Sequence, residues 1–184
     1  MCSNACANNI KPIIIFTKAD LLTEEEKEKI FNTIDYYKKI GYETYMNTEI
    51  EKIKKILKNK VSVFTGQTGA GKSTLLNKLN INLNLKTDEI SEALNRGKHT
   101  TRHTELLEVE GGLVADTPGF SALDFTDMTK EDIRDNFIEF NEYRDRCGFR
   151  NCMHIHEQKC EIKNKVEDGT ILKSRYENYL KFVK

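Results

Sequence analysis

A strand, a glycine-rich loop and a helix follow one another directly in the middle of the sequence. The apolar run from Val61 to Thr65 predicts a buried strand, and leucines at helical spacing follow the loop. Between them, residues 66–73 match the pattern G-x-x-x-x-G-K-S/T at every fixed position. Backbone N–H groups of such a loop converge on phosphate oxygens, and the next helix adds the positive end of its dipole. The sequence therefore predicts an α/β layer fold with a phosphate-binding loop.

The residue types at the end of this loop carry specific chemistry. The ammonium group of Lys72 supplies a point charge for the β- and γ-phosphates of a nucleotide, and the Ser73 hydroxyl supplies a ligand for Mg²⁺. The alternative is a glycine-rich turn with a chance lysine, which would not explain the flanking strand and helix. The predicted nucleotide-binding residues of this segment are Gly66, Gln67, Thr68, Gly69, Ala70, Gly71, Lys72, Ser73 and Thr74.

Length and composition limit what surrounds this loop. The chain has 184 residues with 29 basic and 29 acidic side chains, so it is long enough for one core and has no excess charge for wholesale polyelectrolyte binding. No apolar run approaches the roughly 20 residues that span a bilayer. The first ten residues lack the basic and apolar regions of a secretory signal, so we expect a cytoplasmic protein without membrane contact.

A second motif follows another apolar strand, Leu113 to Ala115. Residues 116–119 read D-T-P-G, and an aspartate at the carboxyl end of a strand lies where an open α/β sheet binds its ligand. Asp116 is predicted to hold Mg²⁺ through water, and the N–H of Gly119 is predicted to meet a γ-phosphate. The alternative interpretation of these four residues is an ordinary turn.

A third motif lies near the start of the chain, after the apolar strand Ile13 to Phe16. Residues 17–20 read T-K-A-D, which is close to N-K-x-D, a loop whose aspartate accepts hydrogen bonds from the N1–H and 2-amino groups of guanine. Adenine does not offer these donors, so Asp20 predicts guanine specificity, with Thr17 and Lys18 as further nucleotide-binding residues. A simple loop aspartate is the alternative, because Thr17 replaces the asparagine of the pattern.

Three cysteines and two histidines cluster downstream, with the spacing C-x4-C-x-H-x5-C. In a chain without an export signal, such a cluster predicts metal ligation before disulfides. Cys147, Cys152, His154 and Cys160 form a Cys₃His set suited to a closed, structural Zn²⁺ site, and His156 is an alternative nitrogen ligand. This stretch has few apolar residues, so its fold is expected to need the metal.

The order of the motifs is informative about the fold class. The guanine-loop motif precedes the phosphate loop, which is opposite to the order in Ras-like GTPases and predicts a circular permutation. The predicted fold is thus an α/β P-loop GTPase with permuted motif order, plus a small C-terminal α-helical zinc-binding subdomain. Composition changes from acidic to basic near residue 141, so the predicted domains are 1–140 and 141–184.

This combination resembles the ribosome small-subunit-dependent GTPase A family, also called RsgA or YjeQ. Residues 97–103, G-K-H-T-T-R-H, are similar to the family's switch segment, and residues 175–179 read R-Y-x-x-Y in the closing helix. The resemblance implies slow GTP hydrolysis that the small ribosomal subunit accelerates, late in the assembly of that subunit. It also implies GTP or GDP, Mg²⁺ and one structural Zn²⁺ as cofactors, and the small ribosomal subunit with its rRNA as partners of a monomer.

The resemblance extends to catalytic residues in the switch segment. Thr100 or Thr101 would meet Mg²⁺ and the γ-phosphate. His99 and His103 are candidates for the catalytic group, because Phe120 occupies the place of the water-orienting glutamine of Ras-like enzymes. The alternative is that both histidines belong only to a loop surface. The full set of predicted catalytic residues is Lys72, His99, Thr100, Thr101, His103 and Gly119.

The chain also departs from the family pattern. Because it starts just before the guanine-loop strand, we expect it to be a truncated fragment or an incomplete gene model that lacks the family's N-terminal OB-fold. Residues 45–48, Y-M-N-T, also lack the Ser-Ala loop that backs guanine. Together with Thr17, this change predicts reduced nucleotide affinity or base selectivity. A nucleotide-dependent RNA-binding module without turnover is the second functional hypothesis. An ATP-using P-loop enzyme is the third, and Asp20 with the permuted order argues against it.

Overall fold

In the part of the chain that the structure describes, strands alternate with helices up to residue 79, and a hairpin of two strands is followed by helices alone. The computed structural model describes residues 10–79, 105–116 and 128–184. The strands are β1 (Ile13–Phe16), β2 (Glu43–Met46), β3 (Val61–Phe64), β4 (Glu105–Val109) and β5 (Gly112–Asp116). The helices are α1 (Glu24–Lys39), α2 (Ile50–Leu57), α3 (Lys72–Leu79), α4 (Lys130–Asp135), α5 (Glu161–Glu167) and α6 (Lys173–Phe182). Short 3₁₀ helices lie at Ala19–Leu21, Ile138–Phe140 and Arg144–Arg146.

The chain divides into two compact units. The P-loop unit contains the described residues within 15–28, 44–79 and 105–116, and the C-terminal unit contains those within 10–14, 29–43 and 128–184. The boundary between residues 140 and 141 stays a prediction about domains. Among the described residues, no helix is long and apolar enough to cross a membrane.

The sheet of the P-loop unit brings two motif-bearing strand ends side by side. Its strand order is β3-β5-β4, with β3 parallel to β5 and β4 antiparallel to β5. Phe64 at the end of β3 is in register with Asp116 at the end of β5. Because the carboxyl ends of parallel strands share one edge, the phosphate loop and the D-T-P-G segment both start from that edge.

Helices α2 and α3 cover one face of this sheet. Ile53 and Leu57 of α2 and three leucines of α3 are buried with Val109 and Val114 of the sheet. Burying side chains of this size stabilises a fold by about 1.5–3 kcal/mol each, so the helix that follows the phosphate loop is firmly seated. The position of the loop is therefore set by the core beneath it.

One expectation about β3 is wrong. The sequence predicts a fully buried strand, but Val61 and Val63 are 76% and 57% exposed. Alternate residues of a strand point to opposite faces, and no helix of the P-loop unit, as far as it is described, covers the face that carries these two valines. An apolar run of four residues predicts a strand, but it does not specify whether both faces are covered.

A tight turn of two residues joins β4 to β5. Glu110 and Gly111 have φ angles of 52° and 73°, which suit the two-residue hairpin turns that match strand twist. Gly112 is required for a different reason, because a Cβ atom there would lie 2.2 Å from the carbonyl oxygen of Leu57. This close approach lets the hairpin lie against the end of α2.

The C-terminal unit has an aromatic core of its own. The rings of Phe137 and Phe140 are 5.3 Å apart, and the ring of Tyr179 lies edge-on to both, at 5.2 and 5.1 Å. Buried beside them is the ion pair between Arg175 and Glu139, with N–O distances of 2.6 and 2.8 Å. The guanidinium carbon of Arg175 also lies 4.6 Å from the centre of the Phe137 ring. Helix α6 is thereby fixed to the segment that precedes the cysteine cluster.

Candidate functional site

The phosphate-loop motif forms an open turn between β3 and α3. Gly69 and Gly71 have φ angles of 77° and 87°, a region that residues with a Cβ atom rarely adopt. The N–H of Ala70 donates to the carbonyl oxygen of Gln67 at 3.0 Å, and helix α3 starts at Lys72. The loop therefore has the local shape that the motif predicts, with Ser73 and Thr74 in the first turn of the helix.

The Lys72 side chain folds back over this loop. Its ammonium group donates to the carbonyl oxygen of Gly66 at 2.9 Å and to that of Gln67 at 3.3 Å. The positive charge is thus held inside the curve of the loop, beside the start of α3. Phosphate oxygens entering that curve would meet this charge and the positive end of the helix together.

Thr17 links the T-K-A-D segment to the phosphate loop. Its hydroxyl donates to the carbonyl oxygen of Ala70 at 2.7 Å, across a separation of 53 residues. A Cβ atom on Gly71 would lie 3.6 Å from Thr17, so the two segments are in close contact. Thr17 replaces the asparagine of the N-K-x-D pattern, but its hydroxyl can donate a hydrogen bond as an asparagine amide does. This shared donor is the sequence signal for the contact with Ala70.

The rest of the T-K-A-D segment is a short turn. Lys18 has a left-handed φ angle of 61°, and the 3₁₀ helix Ala19–Leu21 follows it. The backbone thus turns sharply immediately after Thr17. The side chain of Asp20 lies outside the described part of the structure, so its contact with guanine stays a prediction.

Asn47 lies next to this turn at the end of β2. Its N–H donates to the carbonyl oxygen of Phe16 at 2.8 Å, which places it beside the residue that precedes Thr17. Its side-chain oxygen is buried and has no hydrogen-bond partner among the described residues. A buried, unpaired amide costs free energy, and such a group at a predicted ligand site is a candidate for ligand contact.

Several predicted site residues lie outside the described residues. The backbone of Asp116 ends β5, but its side chain is outside that part of the structure. The same holds for all of the following residues, whose roles stay predictions: His99, Thr100, Thr101, His103, Gly119 and Phe120.

The predicted zinc ligands come together in the C-terminal unit. The sulfur atoms of Cys147, Cys152 and Cys160 and a ring nitrogen of His154 all lie within 4.8 Å of one another. His154 Nδ1 is 3.3 Å from the Cys160 sulfur and 3.7 Å from the Cys147 sulfur. Tetrahedral Zn²⁺ with ordinary bond lengths separates sulfur and nitrogen ligands by about 3.6 Å. The donor set and its spacing therefore fit Zn²⁺, with His154 in the cluster and His156 exposed outside it.

Three side chains hold the His154 turn in shape. The carboxylate of Glu157 accepts hydrogen bonds from the N–H groups of Met153 and Ile155 at 2.7 and 2.8 Å. Burial opposes ionisation of this group, but these backbone N–H bonds keep the pKa of Glu157 below its usual value. The hydroxyls of Tyr176 and Tyr179 donate to the carbonyl oxygens of His154 and Met153. The R-Y-x-x-Y motif of α6 thus supports the metal cluster.

Burial disfavours the charged forms of the ligands themselves. It lowers the pKa of His154 to about 4 and raises that of the Cys152 thiol to about 12. It also raises the pKa of Cys160. Neutral imidazole is the form that binds metal, whereas thiolates in such a site need a nearby cation. The cluster is therefore matched to a divalent ion that supplies that charge.

A parallel sheet strand that runs into a G-K-S loop and a helix defines a P-loop nucleotide-binding protein. Thr17 holds the T-K-A-D segment against this loop. Residues 2–126 match the family model described as RsgA GTPase, and the chain belongs to this RsgA GTPase family. The resemblance inferred from the motifs is confirmed.

Similar proteins agree with this assignment. The small ribosomal subunit biogenesis GTPase RsgA of Bacillus velezensis is 49% identical over 183 residues, covering 96% of this chain and 62% of that protein. The crystal structure of YloQ, a circularly permuted GTPase, is 37% identical with a TM-score of 0.75, covering 99% of this chain and 59% of that one. The crystal structure of YjeQ from Thermotoga maritima is 34% identical with a TM-score of 0.77, covering 99% of this chain and 62% of that one.

The predicted permuted GTPase fold is confirmed by these structural neighbours. The chain spans about three fifths of the length of the relatives it matches. The matched length covers both the nucleotide-binding motifs and the cysteine cluster of this chain.

Proposed function

We propose that this chain binds GTP and hydrolyses it as a factor in late maturation of the small ribosomal subunit. The observation that carries the proposal is the hydrogen bond from Thr17 to Ala70, which joins the guanine-type loop to the phosphate loop. Its relatives are named as small ribosomal subunit biogenesis GTPases, which supports the same biological role.

The phosphate groups of GTP would lie in the curve of residues 66–74. Backbone N–H groups of the loop and of the first turn of α3 bind the phosphate oxygens. The Lys72 ammonium exchanges its two loop carbonyls for β- and γ-phosphate oxygens, which compensates charge at the bond that breaks. Ser73 would bind Mg²⁺ directly and Asp116 through water, and the ion neutralises charge on the β- and γ-phosphates.

The base would lie on the side of the site formed by the T-K-A-D turn. The Asp20 carboxylate accepts from the N1–H and 2-amino groups of guanine, and Lys18 extends along the base. Thr17 fixes the turn to the phosphate loop, so the base and phosphate subsites are held at a set distance. The buried Asn47 amide supplies a polar group where the family's Ser-Ala loop backs guanine.

Hydrolysis would depend on residues of the D-T-P-G and switch segments. The N–H of Gly119 would meet the γ-phosphate, and Thr100 or Thr101 would bind it together with Mg²⁺. A phenyl ring at Phe120 has no group that orients water, so His99 or His103 would take that role. The small subunit would accelerate turnover by ordering these groups around the γ-phosphate.

The C-terminal unit would supply the contact with the ribosome. Its Cys₃His cluster would hold one Zn²⁺ that is structural, because four protein ligands leave no open position. The rigid fold around the metal presents Arg144, Arg146 and Arg150 on its surface, and these charges suit rRNA. We propose that the protein acts as a monomer in the bacterial cytoplasm.

Two measurements test this function. Competition between GTP and ATP for the chain should favour GTP strongly, and equal affinities would contradict guanine recognition. Turnover of GTP should rise when purified small subunits are added to the chain. Tight GTP binding with no turnover in either condition would favour the alternative, a nucleotide-dependent RNA-binding module.

A further inference from the structure

An open cavity of about 480 Å³ lies beside the metal cluster in the C-terminal unit. Its lining includes three of the four metal ligands, Cys147, Cys152 and His154, together with three arginines, Arg134, Arg144 and Arg150, and one carboxylate, Asp145. A volume of about 300–1,000 Å³ is typical of sites that hold a small ligand. A Cys₃His site with three thiolates and one Zn²⁺ would carry one negative charge, so the three guanidinium groups still outnumber the negative charges of the lining and favour an anion.

One arginine of the lining has a free charge. Arg134 Nε and Arg144 Nη1 both donate to the same oxygen of Asp135, at 2.7 and 3.0 Å, so their charge is partly compensated. Arg150 has no ion-pair partner among the described residues, and its side chain is exposed. An anion in the cavity would therefore pair with Arg150 first.

The cavity also carries an exposed aromatic ring. Phe149 is 55% exposed, although it lies on a loop that is held at both ends. The N–H of Gly148 donates to the carbonyl oxygen of Lys159 at 2.8 Å, and the N–H of Cys152 donates to that of Phe149 at 3.3 Å. The metal ligands Cys147 and Cys152 flank this loop. The backbone that carries the ring is thus held in place, so little backbone freedom is lost when the ring is used in binding.

We propose that this cavity binds one unstacked nucleotide of single-stranded RNA, with its base on Phe149 and its phosphate on Arg150. A base offers a flat π-face for the ring and a phosphate for the guanidinium, whereas an acidic peptide offers no partner for the ring. A paired base cannot enter, because its faces are covered by its neighbours in the duplex. The biological relevance of this site rests on the proposed function at the small ribosomal subunit.

The test measures binding of a short, fluorescently labelled single-stranded RNA to the whole zinc-loaded chain. Phe149→Ala should weaken binding about ten- to hundredfold, which is the usual effect of losing one base-stacking ring. Phe149→Trp should retain it. Phe31→Ala removes another ring that is 55% exposed, on α1, and should change nothing. Arg150→Gln should weaken binding and reduce the salt dependence by about one ion.

Other outcomes would overturn the inference. These are unchanged affinity of Phe149→Ala with full zinc content, equal affinity for the duplex form of the same RNA, and displacement of the RNA by polyglutamate at equal charge. Replacing the bases by abasic sites should abolish the difference between the wild type and Phe149→Ala, and persistence of that difference would exclude stacking.

The same samples separate this inference from the proposed function. If GTP turnover is absent but RNA binding depends on Phe149, the proposed enzyme activity is wrong and the RNA site is supported. If GTP turnover is normal but RNA binding does not depend on Phe149, the enzyme activity is supported and the RNA site is wrong.

Discussion

At the scale of single residues, Thr17 has the most informative contact. Its hydroxyl donates to the Ala70 carbonyl at 2.7 Å and so joins two motifs that are predicted to bind opposite ends of a nucleotide. A ligand that reaches both motifs benefits when they are already held together, because less freedom is lost on binding. A ligand that touches only the phosphate loop gains no such benefit.

We predict that Thr17→Val, which keeps the shape but removes the donor, weakens GDP binding about two- to tenfold. Pyrophosphate affinity should stay nearly constant, and Thr17→Ser should restore GDP affinity. Titration calorimetry with both ligands measures these effects. A loss of equal size for GDP and pyrophosphate would mean that Thr17 only stabilises the phosphate loop.

Lys72 provides the second prediction at this scale. Lys72→Ala should lower GTP turnover by about 10²–10³-fold, because no other group of the motif can place a positive charge between the β- and γ-phosphates. Lys78→Ala removes an exposed lysine from the far end of the same helix and is the matched control. Wild-type turnover by Lys72→Ala would contradict the assignment of the site.

At the scale of elements, the turn that carries His154 places its ring among the cysteine ligands. His154 has a left-handed φ angle of 59°, and its Nδ1 faces the cysteine sulfurs. Its Nε2 is buried without a partner among the described residues, so Nδ1 is the atom in position to bind metal. Glu157 and two tyrosines of α6 hold this turn, which ties the metal site to the helix packing.

We predict one zinc ion per chain and loss of nearly all of it in His154→Ala. His156→Ala should keep the ion, since His156 is exposed outside the cluster. Elemental analysis of protein purified without chelator checks both variants. Removal of the ion from the wild type should lower its thermal stability, because metal binding contributes to the free energy of folding.

The pH dependence of the metal site has a definite sign. Thiolates bind Zn²⁺ and protons compete for them, so zinc affinity should fall as pH drops. In the metal-free chain, burial lowers the pKa of His154 to about 4, below the unfolded value of about 6.5, so its contribution to stability is present above the unfolded value. That contribution is lost as pH falls toward 4, in the same direction as the metal effect. Higher zinc affinity at lower pH would contradict thiolate ligation.

The buried pair of Arg175 and Glu139 provides the third prediction about elements. Glu139→Gln should destabilise the chain by about 3–5 kcal/mol, because it leaves the Arg175 guanidinium buried without a counter-charge. Replacing both by apolar residues, as in Arg175→Met with Glu139→Leu, should recover most of that loss. Urea unfolding measures both. If the double variant loses as much free energy of unfolding as the two single substitutions together, the two charges act independently.

At the scale of the whole molecule, the question is whether nucleotide state and ribosome binding are coupled. Residues 128–140 contain α4 and a 3₁₀ helix. Ile133, Phe137 and Phe140 of this segment belong to the core of the C-terminal unit. This segment follows the D-T-P-G motif in the sequence. Because its side chains are packed in this core, a movement of the segment on nucleotide hydrolysis would require the core to move with it.

We predict that the chain binds small subunits with different affinity in the GTP-analogue and GDP states. Linkage then requires the subunit to shift nucleotide preference by the same factor. Replacing Arg144, Arg146 and Arg150 by alanine should weaken both affinities. Equal affinity in the two nucleotide states before any replacement would leave a binding module without a switch.

Much of this protein could be predicted from its sequence. The G-K-S loop and the C-x4-C-x-H-x5-C spacing both act over short stretches of chain, and the structure has the loop and the ligand cluster that they predict. The exposure of Val61 and Val63 could not be predicted, since an apolar run does not specify what covers each face. The pairing of Arg175 with Glu139 was also hidden, because 36 residues separate the partners.

Local sequence was enough to predict the G-K-S loop between a strand and a helix, a Cys₃His ligand set with His156 as an alternative, and the family. These are local properties, because loop glycines, ligand spacing and hydrophobic periodicity act over one or two turns of chain. The fold was needed to show that Thr17 meets Ala70, that Phe64 and Asp116 lie at one sheet edge, and that His154 rather than His156 joins the cysteines. Each of these depends on how distant segments pack or on a single backbone angle, which residue spacing along the chain does not specify.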